Sequence, residues 1–219
     1  MSNSETREIT GIILAGGEGR RLGGNKALLE LGDRSLLARV VAKVRPLCAE
    51  VIVVGLSAVA QAQGRRCIAD IYPGHGALGG IHTGLQAAHT EYSLVVGCDM
   101  PFLNRDLLRY MMGQVDGYDV IIPRLKGLTE PLHALYSRNC LESIEHLVTQ
   151  GGGRIISFFP QVRVRYIEAA EVDRFDPQHR SFFNINTSED WQRAQRWVME
   201  GMGRSFSVYT GEWGITNGE

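Results

Sequence analysis

Short apolar segments alternate with longer amphipathic segments through the first half of this chain, and this order limits the folds that it can adopt. The apolar segments have the length of strands, and the amphipathic ones have the length of helices. Strands separated by helices form parallel sheets, and nearly continuous apolar runs are typical of strands covered on both faces. The pattern predicts an α/β fold: a Rossmann-like three-layer sandwich with a mostly parallel central sheet and right-handed crossovers. In β-α-β order, the segments are 12–15, 36–44, 51–54, 78–88, 94–97, 107–112 and 120–123.

The second half of the chain is less regular but carries similar signals. Its patterns predict strands at 132–136 and 163–167 and helices at 139–149 and 189–199. The 219 residues are enough for one domain with a substantial core. We expect a single domain over residues 1–202 and a loosely held tail over residues 203–219, where no periodicity is visible.

Charge and cysteine content exclude several classes of protein. The 23 Lys and Arg residues are balanced by 24 Asp and Glu residues, so the chain lacks the positive field of a nucleic-acid binder. No segment approaches the roughly 18 to 20 apolar residues that span a bilayer. The four cysteines form no CxxC pair, and the N-terminal segment is polar. These features predict a cytoplasmic protein that binds neither nucleic acid nor membrane.

A glycine-rich loop directly follows the first predicted strand. Residues 14–26 read LAGGEGRRLGGNK. The glycines let backbone N–H groups point into one concave space, where they can hold an anion, and Arg20, Arg21 and Lys26 add positive charge. The dinucleotide fingerprint G-x-G-x-x-G and the Walker A motif G-x-x-x-x-G-K-[ST] both fail to match. The loop predicts a polyphosphate site, and the alternative is a glycine-rich turn with exposed basic residues.

Asp99 follows another predicted strand, 94–97, almost directly. Ligands of parallel sheets bind beyond the carboxyl ends of the strands, so the loops after Leu14 and after Gly97 are expected to face the same cleft. Mg²⁺ prefers one or two carboxylates together with phosphate oxygens and water. Asp99 is therefore a candidate Mg²⁺ ligand. The alternative is that its carboxylate caps the next turn or helix.

Several segments resemble one known family. The loop has the pattern L-A-G-G-x-x-x-R-x-G-x-x-K, which resembles the opening motif of the sugar-nucleotide and cofactor nucleotidyltransferases. Within that superfamily the chain is most similar to the MobA family of molybdenum cofactor guanylyltransferases, over roughly residues 10–200. It departs from the family pattern at Ala77, where Pro is common, and at Glu130, where His is more usual. The other similar segments are GALGGI at 76–81, VGCDMPF at 96–102, EPLHALY at 130–136 and FFNINTSED at 182–190.

This resemblance implies a fold of the nucleotidyltransferase type and a reaction. The reaction is the transfer of GMP from GTP to the phosphate of molybdenum-bound molybdopterin, with Mg²⁺ as cofactor and pyrophosphate as the second product. The catalytic residues would be Arg21, Lys26 and Asp99. The nucleotide-binding residues would be Leu14, Ala15, Gly16, Gly17, Lys26, Asp70 and Asp99.

Two asparagines and one arginine complete the expected site. Asn184 and Asn186 lie two residues apart in an extended segment, and we expect only one of them to reach the metal directly. Asn186 is the candidate metal ligand and Asn184 a candidate acceptor-binding residue; an asparagine that satisfies a turn before the next helix is the alternative. Arg154 is a candidate for the terminal phosphate of the pterin, because a guanidinium binds phosphate in a bidentate fork, or else it is a solvated surface residue. Asp70 is expected to contact the nucleotide near its base. The alternatives are a contact with the ribose and a purely structural role in a turn.

Two other functions remain open. The loop and Asp99 specify a triphosphate rather than a base, so a molybdopterin cytidylyltransferase or another sugar- or alcohol-phosphate nucleotidyltransferase fits the same residues. A non-catalytic nucleotide- or cofactor-binding protein is the alternative of another class. The expected partners are GTP, molybdopterin and proteins that deliver or accept the cofactor.

Overall fold

The computed structural model describes residues 7–16, 26–55 and 66–207, with the backbone alone for residues 201–207. Among the described helices, none has the length and apolar character that crossing a membrane requires. The strands are β1 (Ile9–Leu14), β2 (Glu30–Leu31), β3 (Arg34–Ser35), β4 (Glu50–Val54), β5 (Arg66–Ile68), β6 (Tyr92–Gly97), β7 (Val120–Leu125), β8 (Leu128–Thr129), β9 (His133–Ser137) and β10 (Val164–Glu168). The α-helices are α1 (Leu36–Val44), α2 (Gly76–Ala87), α3 (Arg105–Met112), α4 (Cys140–Thr149), α5 (Ala169–Val172) and α6 (Ser188–Ser207).

One eight-stranded sheet organises the described chain. Seven of its strands lie in the order β10-β7-β9-β6-β1-β4-β5, and β8 pairs with β7. β9 runs antiparallel to both of its neighbours and β8 runs antiparallel to β7, whereas the remaining pairs are parallel. The prediction of a mostly parallel central sheet is therefore confirmed, with β9 as the inserted antiparallel strand.

Helices cover both faces of this sheet. On one face, side chains of α1 and α3 form a buried cluster with Ile13 of β1, and on the other, side chains of α2 and α4 pack with Ile12. A Cβ atom added at Gly84 of α2 would lie 2.6 Å from Cγ2 of Ile12, so the glycine lets the helix approach the central strand closely. The three-layer arrangement predicted from the sequence is confirmed.

The strands β1, β4 and β6 end at the same edge of the sheet. Leu14 pairs with Val54 on one side and with Gly97 on the other. The backbone N–H of Cys98 donates to the carbonyl oxygen of Leu14 at 3.0 Å. The segments that leave β1 and β6 therefore emerge side by side.

All of the predicted strands and helices are present, but some ends differ. α3 begins at Arg105, two residues before the predicted start, because the Asn104 side chain caps it by accepting the N–H groups of Asp106 and Leu107. α6 continues to Ser207, past both the predicted helix end at 199 and the expected start of the tail at 203. Residues 208–219 lie outside the described residues, and the single-domain division stays a prediction. The sequence patterns did not predict β2, β3, β5, β8, α5 or the 3₁₀ helix Ile155–Gln161.

His133 is a fully buried polar residue in β9. Its ring centroid lies 4.6 Å from that of Phe182, and neither ring nitrogen has a hydrogen-bond partner among the described residues. Burial lowers the pKa of His133 to about 4, because the charged imidazolium loses its hydration in the core.

We expect His133 to make the fold sensitive to acid. Its folded-state pKa of about 4 lies below the ordinary value of 6.5, so the unfolded state binds more protons between these pH values, and stability falls as the pH falls through this window. The full loss is about 3 kcal/mol below pH 4. His133→Phe should remove this part of the pH dependence, as measured by urea unfolding from about pH 8 down to about pH 4.

The control is His89→Phe, which makes the same substitution at an exposed histidine. It should leave the pH profile of the unfolding free energy unchanged. If His133→Phe and the unmodified protein lose the same stability on acidification, the buried ring is not the source of the acid sensitivity.

Candidate active site

The glycine-rich loop begins where β1 ends. The backbone N–H of Ala15 donates a hydrogen bond to β4, and Gly55 at the end of β4 has a φ of +87°. A Cβ atom at Gly55 would lie 2.7 Å from Cα of Gly16, so two backbone segments touch here without side chains between them. Glycine alone readily adopts this backbone conformation and allows this approach. Gly17 and Arg21 lie outside the described residues, so their assigned roles stay predictions.

Lys26 lies at the end of this loop, and its side chain contacts the segment that follows β6. It opens a short 3₁₀ helix, Lys26–Leu28, and its Nζ donates to Oδ2 of Asp99 at 2.8 Å and to Oδ1 of Asn186 at 2.9 Å. The Lys26 and Asp99 side chains are 16% and 21% exposed, so this ion pair is largely shielded from solvent, whereas Asn186 is an exposed residue. This contact agrees with the prediction that the segments after β1 and β6 come together, as far as the described residues show.

Two features hold Asn186 at the cleft. The preceding residue, Ile185, is buried, and its backbone N–H donates to the Asp99 carbonyl oxygen at 3.1 Å. On the other side, Asp190 accepts the backbone N–H groups of Asn186 and Thr187, each at 3.0 Å, while the Thr187 hydroxyl oxygen accepts the N–H of Asp190. These reciprocal bonds form a capping box at the start of α6. The chain is therefore anchored on both sides of the amide.

Asn184 and Asn186 have different hydrogen-bond partners, although residues two apart in an extended segment lie on the same face. The amide Nδ2 of Asn184 donates to the carbonyl oxygen of Phe182 at 3.2 Å, within its own segment. Asn186 is the asparagine whose side chain reaches Lys26, which also binds Asp99. The metal role of Asn186 and the acceptor role of Asn184 both stay predictions.

Asp70 lies in the turn between β5 and α2. Its Oδ1 accepts the backbone N–H of Tyr72 at 3.0 Å and the hydroxyl of Thr83 at 2.8 Å, and the same hydroxyl oxygen accepts the N–H of Ile71. One carboxylate oxygen of Asp70 therefore stabilises the turn, as one of the alternatives proposed from the sequence required. Thr83 was missed in the sequence because an isolated threonine inside a helix gives no signal of a partner in a preceding loop.

Arg154 lies at the start of the 3₁₀ helix Ile155–Gln161 and is exposed. Among the described residues, no contact joins its guanidinium to Lys26, Asp99 or Asn186. The structure brings three of the predicted site residues together and leaves Arg154 apart from them, so its phosphate-binding role stays a prediction.

Cys98 directly precedes Asp99, but its thiol is not reactive. Its side chain is buried, and burial raises the pKa of the thiol to about 12. A thiol with this pKa is protonated near neutral pH and is a poor nucleophile. Cys98 is therefore not suited to form a covalent intermediate.

Gly97 is a second residue that the sequence patterns did not single out. A Cβ atom there would lie 2.5 Å from Oδ1 of Asp99. The absence of a side chain at the last residue of β6 thus leaves the space that the Asp99 carboxylate occupies. A glycine two positions before a candidate carboxylate, at a strand end, is the signal that would have found it.

Comparison with known proteins gives one consistent family. A family model described as the MobA-like NTP transferase domain matches residues 11–164. A probable molybdenum cofactor guanylyltransferase of Pelotomaculum thermopropionicum is 40% identical over 189 residues, which are 86% of this chain and 92% of that protein. The molybdenum cofactor guanylyltransferase of Desulfosudis oleivorans is 38% identical over 196 residues, 88% of this chain and 97% of that protein.

Solved structures agree with this result. The molybdopterin-guanine dinucleotide biosynthesis protein A of Archaeoglobus fulgidus has a TM-score of 0.76 and 30% identity, covering 88% of this chain and all 100% of that one. The 4-diphosphocytidyl-2C-methyl-D-erythritol synthase of Anaerococcus prevotii, at 16% identity and a TM-score of 0.69 over 90% of this chain and 100% of its own, shares the fold. The chain belongs to the MobA-like NTP transferase family.

Proposed function

We propose that this protein is a guanylyltransferase that joins GMP from GTP to the phosphate of molybdopterin, forming the guanine dinucleotide of the cofactor and releasing pyrophosphate. The observation that carries the proposal is the convergence of Lys26, Asp99 and Asn186 at the carboxyl edge of the sheet. Relatives of 40% and 38% identity over most of the chain are named molybdenum cofactor guanylyltransferases, which supports this choice of nucleotide and acceptor.

The reaction requires positioning and charge more than proton transfer. An oxygen of the acceptor phosphate attacks the α-phosphorus of GTP, the bond from that phosphorus to the bridging oxygen breaks, and pyrophosphate leaves with the electron pair. The acceptor phosphate is already an anion, so no general base is needed. In this proposal, the glycine-rich loop and Lys26 stabilise the negative charge that grows on the departing pyrophosphate.

We further propose Mg²⁺ as the cofactor, held by Asp99 and Asn186. A carboxylate oxygen and an amide oxygen are ligands that hard divalent cations prefer, and in this structure both oxygens already bind one cationic group, the Lys26 ammonium. When bound, the metal would supply positive charge against the phosphate oxygens of the nucleotide.

The proposal also covers the cell compartment, three further contact residues and partner proteins. The unpaired state of all four cysteines fits a reducing compartment, so we place the reaction in the cytoplasm. Asp70 as a nucleoside contact, and Arg154 and Asn184 as acceptor contacts, belong to the proposal on the strength of the family motifs. Proteins that deliver or accept the cofactor are further proposed partners.

The test is a comparison of four nucleotides with one acceptor. Purified protein is incubated with molybdopterin, Mg²⁺ and GTP, CTP, ATP or UTP, and pyrophosphate release is followed together with the mass of the dinucleotide product. We expect GTP to support release at least about tenfold faster than the others, since unpaired base-recognition groups penalise the wrong base. A clear preference for CTP would overturn the guanylyl assignment, and binding without pyrophosphate release from any nucleotide would indicate a non-catalytic protein.

A further inference from the structure

The Lys26 ammonium lies at a point where two oxygen ligands meet. Its Nζ is 2.8 Å from Oδ2 of Asp99 and 2.9 Å from Oδ1 of Asn186. The three side chains come from the end of the glycine-rich loop, from the segment after β6 and from the segment before α6, so distant parts of the chain are brought to one cationic centre. The ion pair is mostly shielded from solvent, with exposed fractions of 16% and 21%.

A divalent cation and this ammonium cannot share the same two oxygens. Mg²⁺ binds oxygen at about 2.0 to 2.1 Å, a shorter distance than the hydrogen bonds made by Lys26, so a metal held by both ligands would fall within the space that the ammonium fills. Two positive charges at such a separation also repel strongly when water is partly excluded. Binding of one cation at Asp99 and Asn186 therefore requires the other to leave.

We propose that Lys26 is an internal counter-ion that holds the metal ligands in place and excludes a divalent cation until a nucleoside triphosphate draws the ammonium away. This inference rests on the proposed function in taking Asp99 and Asn186 as metal ligands. The phosphates offer Lys26 a stronger anionic partner than a single carboxylate and an amide. Release of Lys26 then frees both oxygens, so nucleotide and metal bind with positive coupling.

The counter-ion arrangement has a consequence for the protein without nucleotide. Unmodified protein should bind a divalent cation weakly, because the metal must first displace Lys26. Lys26→Met keeps a side chain of similar length but removes the ammonium, which leaves the two oxygens without their cation. The variant should bind a divalent cation more tightly than the unmodified protein, although it should bind nucleotide less well.

The experiment measures Mn²⁺ binding by isothermal titration and by the shift in Tm, with no nucleotide present. We expect Lys26→Met to bind Mn²⁺ at least about tenfold more tightly than the unmodified protein and to be stabilised by Mn²⁺ in thermal unfolding. Lys126→Met removes another ammonium, on the exposed turn between β7 and β8, and should behave as the unmodified protein does. Should Lys26→Met fold poorly, Lys26→Gln removes the same charge and gives the same test.

A double variant identifies where the metal binds. In Lys26→Met/Asp99→Asn, the gain in Mn²⁺ affinity should disappear. Equal Mn²⁺ affinity in Lys26→Met and the unmodified protein would overturn the proposal, as would a gain that persists in the double variant. Either result leaves the nucleotide comparison above untouched, because that comparison measures pyrophosphate release, so failure of the counter-ion proposal and failure of the guanylyltransferase proposal can be told apart.

Discussion

Asp99→Ala should lower turnover by about a thousandfold while leaving GTP binding largely in place. The expected loss corresponds to about 4 kcal/mol of transition-state stabilisation, the size of effect attributed to a metal that offsets charge on a reacting phosphate. Binding should persist because, in the proposed mechanism, the glycine-rich loop would hold the phosphates independently of Asp99. The measurement is single-turnover pyrophosphate release, with GTP affinity determined separately by titration.

Two further variants make this result specific. Asp99→Asn keeps the size of the side chain and removes its charge, and it should lose nearly as much turnover. Asp106→Ala removes an exposed carboxylate from the first turn of α3, where it pairs with Arg109, and should leave turnover unchanged. Near-normal turnover of folded Asp99→Ala would remove Asp99 from the metal-binding group and leave the proposed mechanism without its charged ligand.

The contact between Lys26 and Asp99 could be predicted from the sequence because it depends on a general property of parallel sheets. Strands that run in the same direction end at the same edge, and the register of Leu14 against Gly97 places the two following segments together. The apolar runs and the glycine-rich loop were sufficient to locate that edge. Neither required knowledge of how the second half of the chain packs.

The contribution of Asn186 could not be predicted in the same way. Residues two apart in an extended segment lie on the same face, so the spacing of Asn184 and Asn186 does not say which of them reaches Lys26. The choice depends on the burial of Ile185 and on its backbone hydrogen bond to Asp99, a contact between residues far apart in the chain. Such tertiary contacts leave no local pattern.

The position of β9 was unpredictable for a related reason. Its apolar residues identify a strand, but they do not encode its neighbours or its direction. The structure inserts it antiparallel between β6 and β7. The β7–β8 hairpin that precedes it turns at Lys126 and Gly127, which have φ values of 51° and 79°. That turn reverses the chain, and the pairing that follows is settled by the packing of the whole sheet.

Gly97→Ala should slow turnover about a hundredfold without unfolding the protein. The new Cβ atom would lie 2.5 Å from Oδ1 of Asp99, whereas its next nearest neighbours, Cγ and Sδ of Met100, are at an ordinary distance of 3.6 Å. The carboxylate is the movable partner, so it must rotate and weaken its alignment with Lys26 and Asn186. A displacement of about 1 Å in a reacting group can cost about a hundredfold in rate, and we expect a loss of turnover of that size.

The fold should tolerate this substitution because the backbone of Gly97 does not need a positive φ. Thermal unfolding should therefore differ little from that of Gly113→Ala, the control at the C-terminal cap of α3, where φ is −75° and a Cβ atom meets no atom closer than 3.4 Å.

The decisive comparison is between the double variant Gly97→Ala/Asp99→Ala and the single variant Asp99→Ala. In the double variant there is no carboxylate for the added methyl group to displace. Its turnover should therefore equal that of Asp99→Ala alone. If the turnover losses of the two single variants instead multiply in the double variant, Gly97 affects the reaction by a route other than the Asp99 carboxylate.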